Sequence, residues 1–350
     1  MGLFSKIANS LLNPSLERAC VDQYMKYMMS NTSFNEEVLS CADVNYSSDV
    51  LRDFAKKYPI QCSSEFHGYV DIKTIVFEGQ TYTIFYFMHY ARAINVTVDV
   101  ETEETDTDKL LDFINQINTR DFIDQIGLVE EDGKKQIRVF RQILLTPHIG
   151  SGDSIAEELR ALNAYALALA NLQYPGDNAW MKCANPKASQ TVGTAADFWF
   201  NQDGSSCLNK FSKDSKTIYK NEKTESRSMI YIPRHSNSFI TESPAFAMGN
   251  ITTFSDFPYL SLLVVTITED DPTIAEIKEA SVMKFCSTWN QNIHFAPCKA
   301  VWIKNESGKN SLSLIMTCMY ADETNTRTYI DVLSALHKAT AIAVRAMRAK

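Results

Sequence analysis

Glycine is scarce, at 12 of 350 residues, and neither GxGxxG nor GxxxxGK[ST] occurs. That excludes the common phosphate-cradling loops. Gly133-Lys134 and Gly308-Lys309 fit hairpin turns better than a phosphate site. The six histidines (67, 89, 148, 235, 294, 337) include no HExxH and no i, i+4 pair, and the eight cysteines (20, 41, 62, 183, 207, 286, 298, 318) include no CxxC. The spacings of a zinc site are therefore missing. There is no GxSxG elbow and no signature of a nucleophilic cysteine. Basic charge is short too: 34 Lys and Arg stand against 42 Asp and Glu, a formal net charge of −8 and a pI near 5.4. A surface that binds nucleic acid by releasing counterions needs the opposite balance. No apolar run reaches the about 18–20 residues of a membrane span. The opening MGLFSKIANSLL is too short and too interrupted for a signal peptide, and Lys6 stands where a myristoylation motif takes Ser or Thr. The expectation is a cytoplasmic chain with no transmembrane segment, no nucleic-acid partner, no catalytic residues, no metal ligands and no cofactor.

What is present is ordinary for a globular protein: 45% apolar and 22% charged residues. A chain of this length suggests roughly two domains. The cysteines stand singly, several in apolar segments, which predicts buried free thiols in a reducing compartment.

Leu3, Phe4, Ile7 and Leu11 form a helical stripe that reads as a docked arm, because a single Lys on the polar face gives little membrane attraction. A second helix is predicted to about residue 29, and a short one over 48–57 ends before Pro59. From Glu65 the period changes to two. Strands are predicted over 66–77, 81–90 and 94–100, the first two joined by Glu78-Gly79. The acidic run from Asp99 to Asp108 lacks the spacing of a calcium loop. It abuts a helix start, where acids cap free N–H groups. That helix carries Leu110, Ile114 and Ile117. Strands over 122–129 and 135–146 flank Asp132-Gly133, and Ser151 to Ser154 cap a long helix ending near 172.

The same order returns near the C-terminus. At an offset of 175, Ile137, Val139, Ile143 and Leu145 fall on Leu312, Leu314, Cys318 and Tyr320. At 174, Ile155, Leu159, Leu162, Ala166 and Leu169 fall on Tyr329, Leu333, Leu336, Thr340 and Ala343. Fixed-offset periodicity of this kind predicts a duplicated unit. The expected organisation is a first unit over 1–172, a linker or insertion over 173–227 and a second unit over 228–350. The second unit's strands are placed near 229–233, 246–254 and 259–268. Its opening helix is not evident, and the one candidate stretch lies around 195–200.

The stretch Leu110-Leu111-Asp112-Phe113-Ile114-Asn115, the Asp132-Gly133 turn and the helix from Leu159 to Leu169, echoed between Val282 and Ala343, resemble type III secretion chaperones and the related YbjN-type bacterial proteins. In the second copy the turn is Glu306-Ser307-Gly308. The resemblance implies an α+β fold: a duplicated αβββαββα unit, with antiparallel sheets and helices packed on one face. It implies no catalytic residues and a function in binding other proteins.

Strand 81–90 is apolar on both alternations, and so is 259–267. A half-solvated antiparallel strand would alternate with polar residues. Phe85, Phe87, His89, Leu260, Leu262 and Val264 are thus the candidate partner-facing residues. They would be covered by the sister unit, a second chain or a ligand, giving a pseudo-dimeric monomer or a homodimer. The expected function is a non-catalytic, chaperone-like or regulatory protein holding a protein or peptide partner. The alternative is a small-molecule sensor or enzyme with its pocket between the units.

Overall fold

The computed structural model describes residues 46–67, 70–87, 93–121, 124–144, 151–175, 220–223, 227–233, 248–254, 260–268, 278–291, 298–304 and 308–319. They fall into two compact units, each with its own sheet. Both units mix helices with antiparallel strands, so the protein is α+β. The N-terminal arm, most of 173–219, the acidic run before the second-unit helix, the 306–307 turn and the expected C-terminal helix lie outside the described residues.

The first described element of the first unit is α1 (Tyr46–Lys57), which stops ahead of Pro59. It presents Val50, Leu51 and Phe54 to the core. Four strands follow in antiparallel sequence: β1 (Gln61–His67), β2 (Val70–Phe77), β3 (Gln80–Phe87) and β4 (Ala93–Glu101). Then come α2 (Thr107–Arg120), β5 (Gln125–Glu131), β6 (Lys134–Leu144) and α3 (Gly152–Ala170). The sheet order is β1-β2-β3-β4-β6-β5.

Local chemistry sets the boundaries. Glu78-Gly79 and Asp132-Gly133 turn with both φ values positive, 49° and 82°, then 53° and 75°. That is the two-residue turn whose twist matches a hairpin. Asp106 caps α2 by accepting from the Asp108 and Lys109 amides at 3.0 and 3.2 Å. Ser151 caps α3 through the Ser154 amide at 3.2 Å.

One face of the sheet carries Ile75, Phe77, Tyr82, Ile84, Ile94, Val96, Val98, Val100, Ile137 and Val139, and the three helices close over it. Each such aliphatic or aromatic side chain contributes about 1.5–3 kcal/mol of burial. Helix α3 meets α1 at Gly152, where a Cβ would sit 2.6 Å from the Phe54 backbone. Only glycine allows that approach, and Asp53 Oδ2 accepts the Gly152 amide at 2.7 Å.

The second sheet is built from β7 (Lys220–Lys223), β8 (Arg227–Pro233), β9 (Met248–Phe254), β10 (Leu260–Thr268), β11 (Cys298–Lys304) and β12 (Asn310–Met319). Helix α4 (Glu279–Gln291) lies between β10 and β11 and buries Val282, Phe285, Cys286 and Trp289. The order is β7-β8-β9-β10-β12-β11, the order of the first sheet.

Two expectations need correcting. Each sheet has four strands before its inner helix, not three. What reads as one strand over 66–77 is the end of β1 and all of β2. Strand β7 falls inside the stretch read as a linker, yet it pairs with β8 through Lys220–Tyr231 to Lys223–Ser228. Both missed strands are edges. QCSSEFH and KNEK carry little or no apolar alternation, because an edge strand is paired on one side only and is commonly polar.

The registers agree in detail. Val139 pairs with Val98 and Ile126; Leu314 pairs with Val265 and Ala300. Gly133 and Gly308 both take positive φ, 75° and 80°. Four residues separate Glu130 from its partner Lys135, and five separate Lys304 from Asn310. That one-residue difference raises the offset across the hairpin from 174, Ile126 on Ala300, to 175, Val139 on Leu314.

Candidate functional site

The most distinctive chemistry lies beneath α3. On β6, Ile137, Val139 and Ile143 are core residues, and the alternation that carries them includes Arg141. Its side chain is 2% exposed. Nε and one terminal nitrogen donate to the two carboxylate oxygens of Asp124, at 2.7 and 2.5 Å. Asp124 stands immediately before β5 and is completely buried. Its amide donates to Asp121 Oδ1 at 2.7 Å, and Tyr165 Oη donates to Asp121 Oδ2 at 2.6 Å. Asp121 in turn is the C-cap of α2, so this hydrogen-bonded chain ties α2, β5, β6 and α3 together. The guanidinium also lies 5.9 Å from the centre of the Tyr165 ring.

Glu158 is the asymmetric member. It is on the buried face of α3, with its side chain 5% exposed, and its carboxylate lies 3.6 Å from Arg141 Nη1, beyond hydrogen-bond distance. Nη1 has no hydrogen-bond partner. Three carboxyl groups thus share one guanidinium that is already committed to Asp124. Burial pushes the Glu158 carboxyl up to about 7, with the pull of Arg141 only partly offsetting it. Burial opposes the charge on Arg141, but Asp124 outweighs it and holds the guanidinium protonated. Burial and the neighbouring carboxyls drive the Tyr165 hydroxyl far above its ordinary range, so it remains a donor. The Glu158 carboxyl therefore has a proton to exchange near neutrality.

A second feature recurs in both sheets. Asn118 Nδ2 donates to Ile126 O at 2.7 Å and its Oδ1 accepts from Ile126 N at 2.9 Å. Asn290 does the same to Ala300, at 2.8 and 2.7 Å. β5 and β11 are the terminal strands of their sheets. The asparagine amide therefore stands in for the missing neighbouring strand and blocks edge pairing there. Trp289 Nε1 occupies another outward carbonyl of β11, Cys298 O, at 2.9 Å.

The residues nominated from sequence are distributed otherwise. Phe85 lies in β3 between Ile72 and Asn95, and Phe87 opposite Val70; their side chains, like all of His89, lie outside the described set. Leu260 and Leu262 occupy β10 opposite Met319 and Thr317, again without described side chains. Val264, opposite Ile315, is half-buried. The two groups stand on different sheets. Around them the alternation away from the helices is buried within the chain: Asn95, Thr97 and Phe140 in the first sheet, and Lys299, Val301, Ser313 and Ile315 in the second.

None of the ionic cluster was nominated from sequence, although one signal existed: an arginine at 141 breaking an otherwise apolar row. Asn118 and Asn290 offered no signal beyond their place near the end of a helix. Of the eight cysteines, Cys286 and Cys298 have described side chains, and both are buried free thiols. Among the described residues no group of three or more His, Cys, Asp or Glu is placed to hold a metal ion, and no helix is long and apolar enough to cross a membrane.

Fold and cluster together define an α+β protein with two antiparallel six-stranded sheets, one of them containing a buried ionic cluster. Set against protein-family models, curated proteins and solved structures, the chain matches none.

Proposed function

We propose that this is a non-catalytic, cytoplasmic binding protein made of two copies of one αββββαββα unit, and that it holds a polypeptide partner in the manner of the secretion chaperones it resembles. The observation that carries the reading is the shared strand order of the two sheets, with the asparagine clamp at the same register position in each. A repeated edge block keeps the terminal strand of each sheet from pairing indiscriminately while leaving side-chain surfaces free for a chosen partner. The apolar character of β3 and β10 supports a contact at Phe85, Phe87 and Val264.

The test is site-specific photo-cross-linking from positions 85 and 264 in cells. A discrete polypeptide adduct from these positions, absent from the exposed position 81, is the expected result. Replacing Phe85 and Phe87 with Asp should abolish the adduct and, because Asn95 and Thr97 on the same face are buried within the chain, should also lower the melting temperature or split an oligomer. Only intramolecular links, together with stabilisation by a metabolite in a thermal-shift screen, would instead favour a small-molecule pocket.

A further inference from the structure

Glu158 has no role in the binding reading, yet it is the least satisfied ionisable group in the described core. Arg141 faces it from β6 at 3.6 Å, with Nε and Nη2 already engaged by Asp124. Asp124 and Asp121 approach from the segment before β5 and add negative charge. Tyr165, two turns along α3, donates to Asp121 and is not free to solvate Glu158. Tyr82 reaches α3 from β3 but gives its hydroxyl to Leu159 O at 3.0 Å. From β4, Ile94, Val96, Val98 and Val100 present only hydrocarbon. Of the charged groups of α1, Asp53 and Lys57 engage Gly152 and Asp153 at the helix start. Glu157 on the same helix points outward and is exposed. An ionised Glu158 would therefore be a third buried carboxylate beside one guanidinium, 3.6 Å from Arg141 Nη1 and too far for a hydrogen bond, and a buried charge so poorly compensated is disfavoured.

We infer that Glu158 is a proton-operated latch: it carries a proton while α3 is seated on the first sheet, and loss of that proton through the neutral range loosens α3 in the first unit and leaves the second untouched. The direction follows from linkage. The folded carboxyl titrates near 7 and the unfolded one near its ordinary 4.5. Between those values the seated state binds more protons, so its stability falls as pH rises and levels off once both states are ionised. Below the ordinary value both states are protonated and the effect vanishes. A single proton sets the limit at about tenfold in the opening equilibrium per pH unit.

Hydrogen exchange by mass spectrometry on the full chain at pH 5.5, 6.5 and 7.5, corrected for intrinsic rates, reads the opening of each helix. Opening of α3 should rise several-fold per pH unit, opening of α4 should stay flat, and Glu158→Gln should abolish the α3 slope. Glu157→Gln should leave the slope unchanged, and a slope that survives Glu158→Gln would overturn the latch. Should the Gln variant fail to fold, the wild-type infrared spectrum decides. A protonated-carboxyl band at pH 6 that fades by pH 8 supports the latch, and its absence overturns it.

Discussion

Two residues beyond Val139 on β6 stands Arg141, and two beyond Leu314 on β12 stands Met316. Two before Ile126 is Asp124, and two before Ala300 is Cys298. The first sheet therefore has a fully buried ion pair where the second, in the same register, pairs Met316 with Cys298. At the offset of the closing helix, Glu158 and Tyr165 correspond in sequence to Val332 and Ala339, outside the described residues. Four polar members have four apolar counterparts. A six-stranded sheet of this order thus forms with or without charge in that place. Replacing a buried ion pair with well-packed hydrophobic groups is often neutral or stabilising, so the cluster is not there because the architecture needs it. What it adds is geometric: bonds fixing α2, β5, β6 and α3 in one arrangement, and one proton that titrates near neutrality.

The comparison can be broken most decisively at Arg141. Arg141→Met alone leaves Asp124 buried without its cation and should cost about 3–5 kcal/mol by urea unfolding. Combining it with Asp124→Cys and Glu158→Val transplants the second unit's chemistry and should recover most of that loss. A triple variant as unstable as the single would mean that the cluster is required by the first unit after all.

The shared clamp gives the next largest effect, and here the two units should behave alike. Asn118→Ala and Asn290→Ala each strand an edge-strand N–H and C=O, an expected loss of about 2–3 kcal/mol apiece. Peptide-resolved hydrogen exchange should show β5 loosening in one variant and β11 in the other. A loss confined to one unit would show that the asparagines are not equivalent.

The smallest effect concerns a feature described only in the first unit. Gly152→Ala drives a methyl into the Phe54 backbone and should cost about 1–3 kcal/mol, with α1 and α3 losing protection together. An unchanged melting curve would show that these helices can separate freely.

Much of this fold is legible residue by residue. Asp132-Gly133 and Glu78-Gly79 announce their hairpins because a left-handed pair of turn residues has few chemical solutions. Asp106 and Ser151 announce helix starts because unpaired amides need an acceptor. The rows Val96–Val98–Val100 and Ile137–Val139 announce a buried face because a strand alternates. The edge strands β1 and β7 escape this reading because QCSSEFH and KNEK carry little or no apolar alternation. The ionic cluster escapes for a different reason. Asp121, Asp124, Arg141, Glu158 and Tyr165 span 44 residues and four structural contexts, and nothing in their spacing marks them as neighbours.

By itself the sequence determined the periodic part of this protein: where helices and hairpins begin, which face of each strand is apolar, and that the pattern recurs some 174 residues on. Those properties depend on neighbours three or four places away along a helix or two along a strand, so a linear text can hold them. Tertiary structure alone decided which polar residues became partners. It put Arg141 against Asp124, left Glu158 with an incomplete set of bonds, and laid Asn118 and Asn290 along the open edges of β5 and β11. A buried charge acquires its meaning from what packing leaves around it, because the cost of ionisation is set by local desolvation and by the few donors in reach.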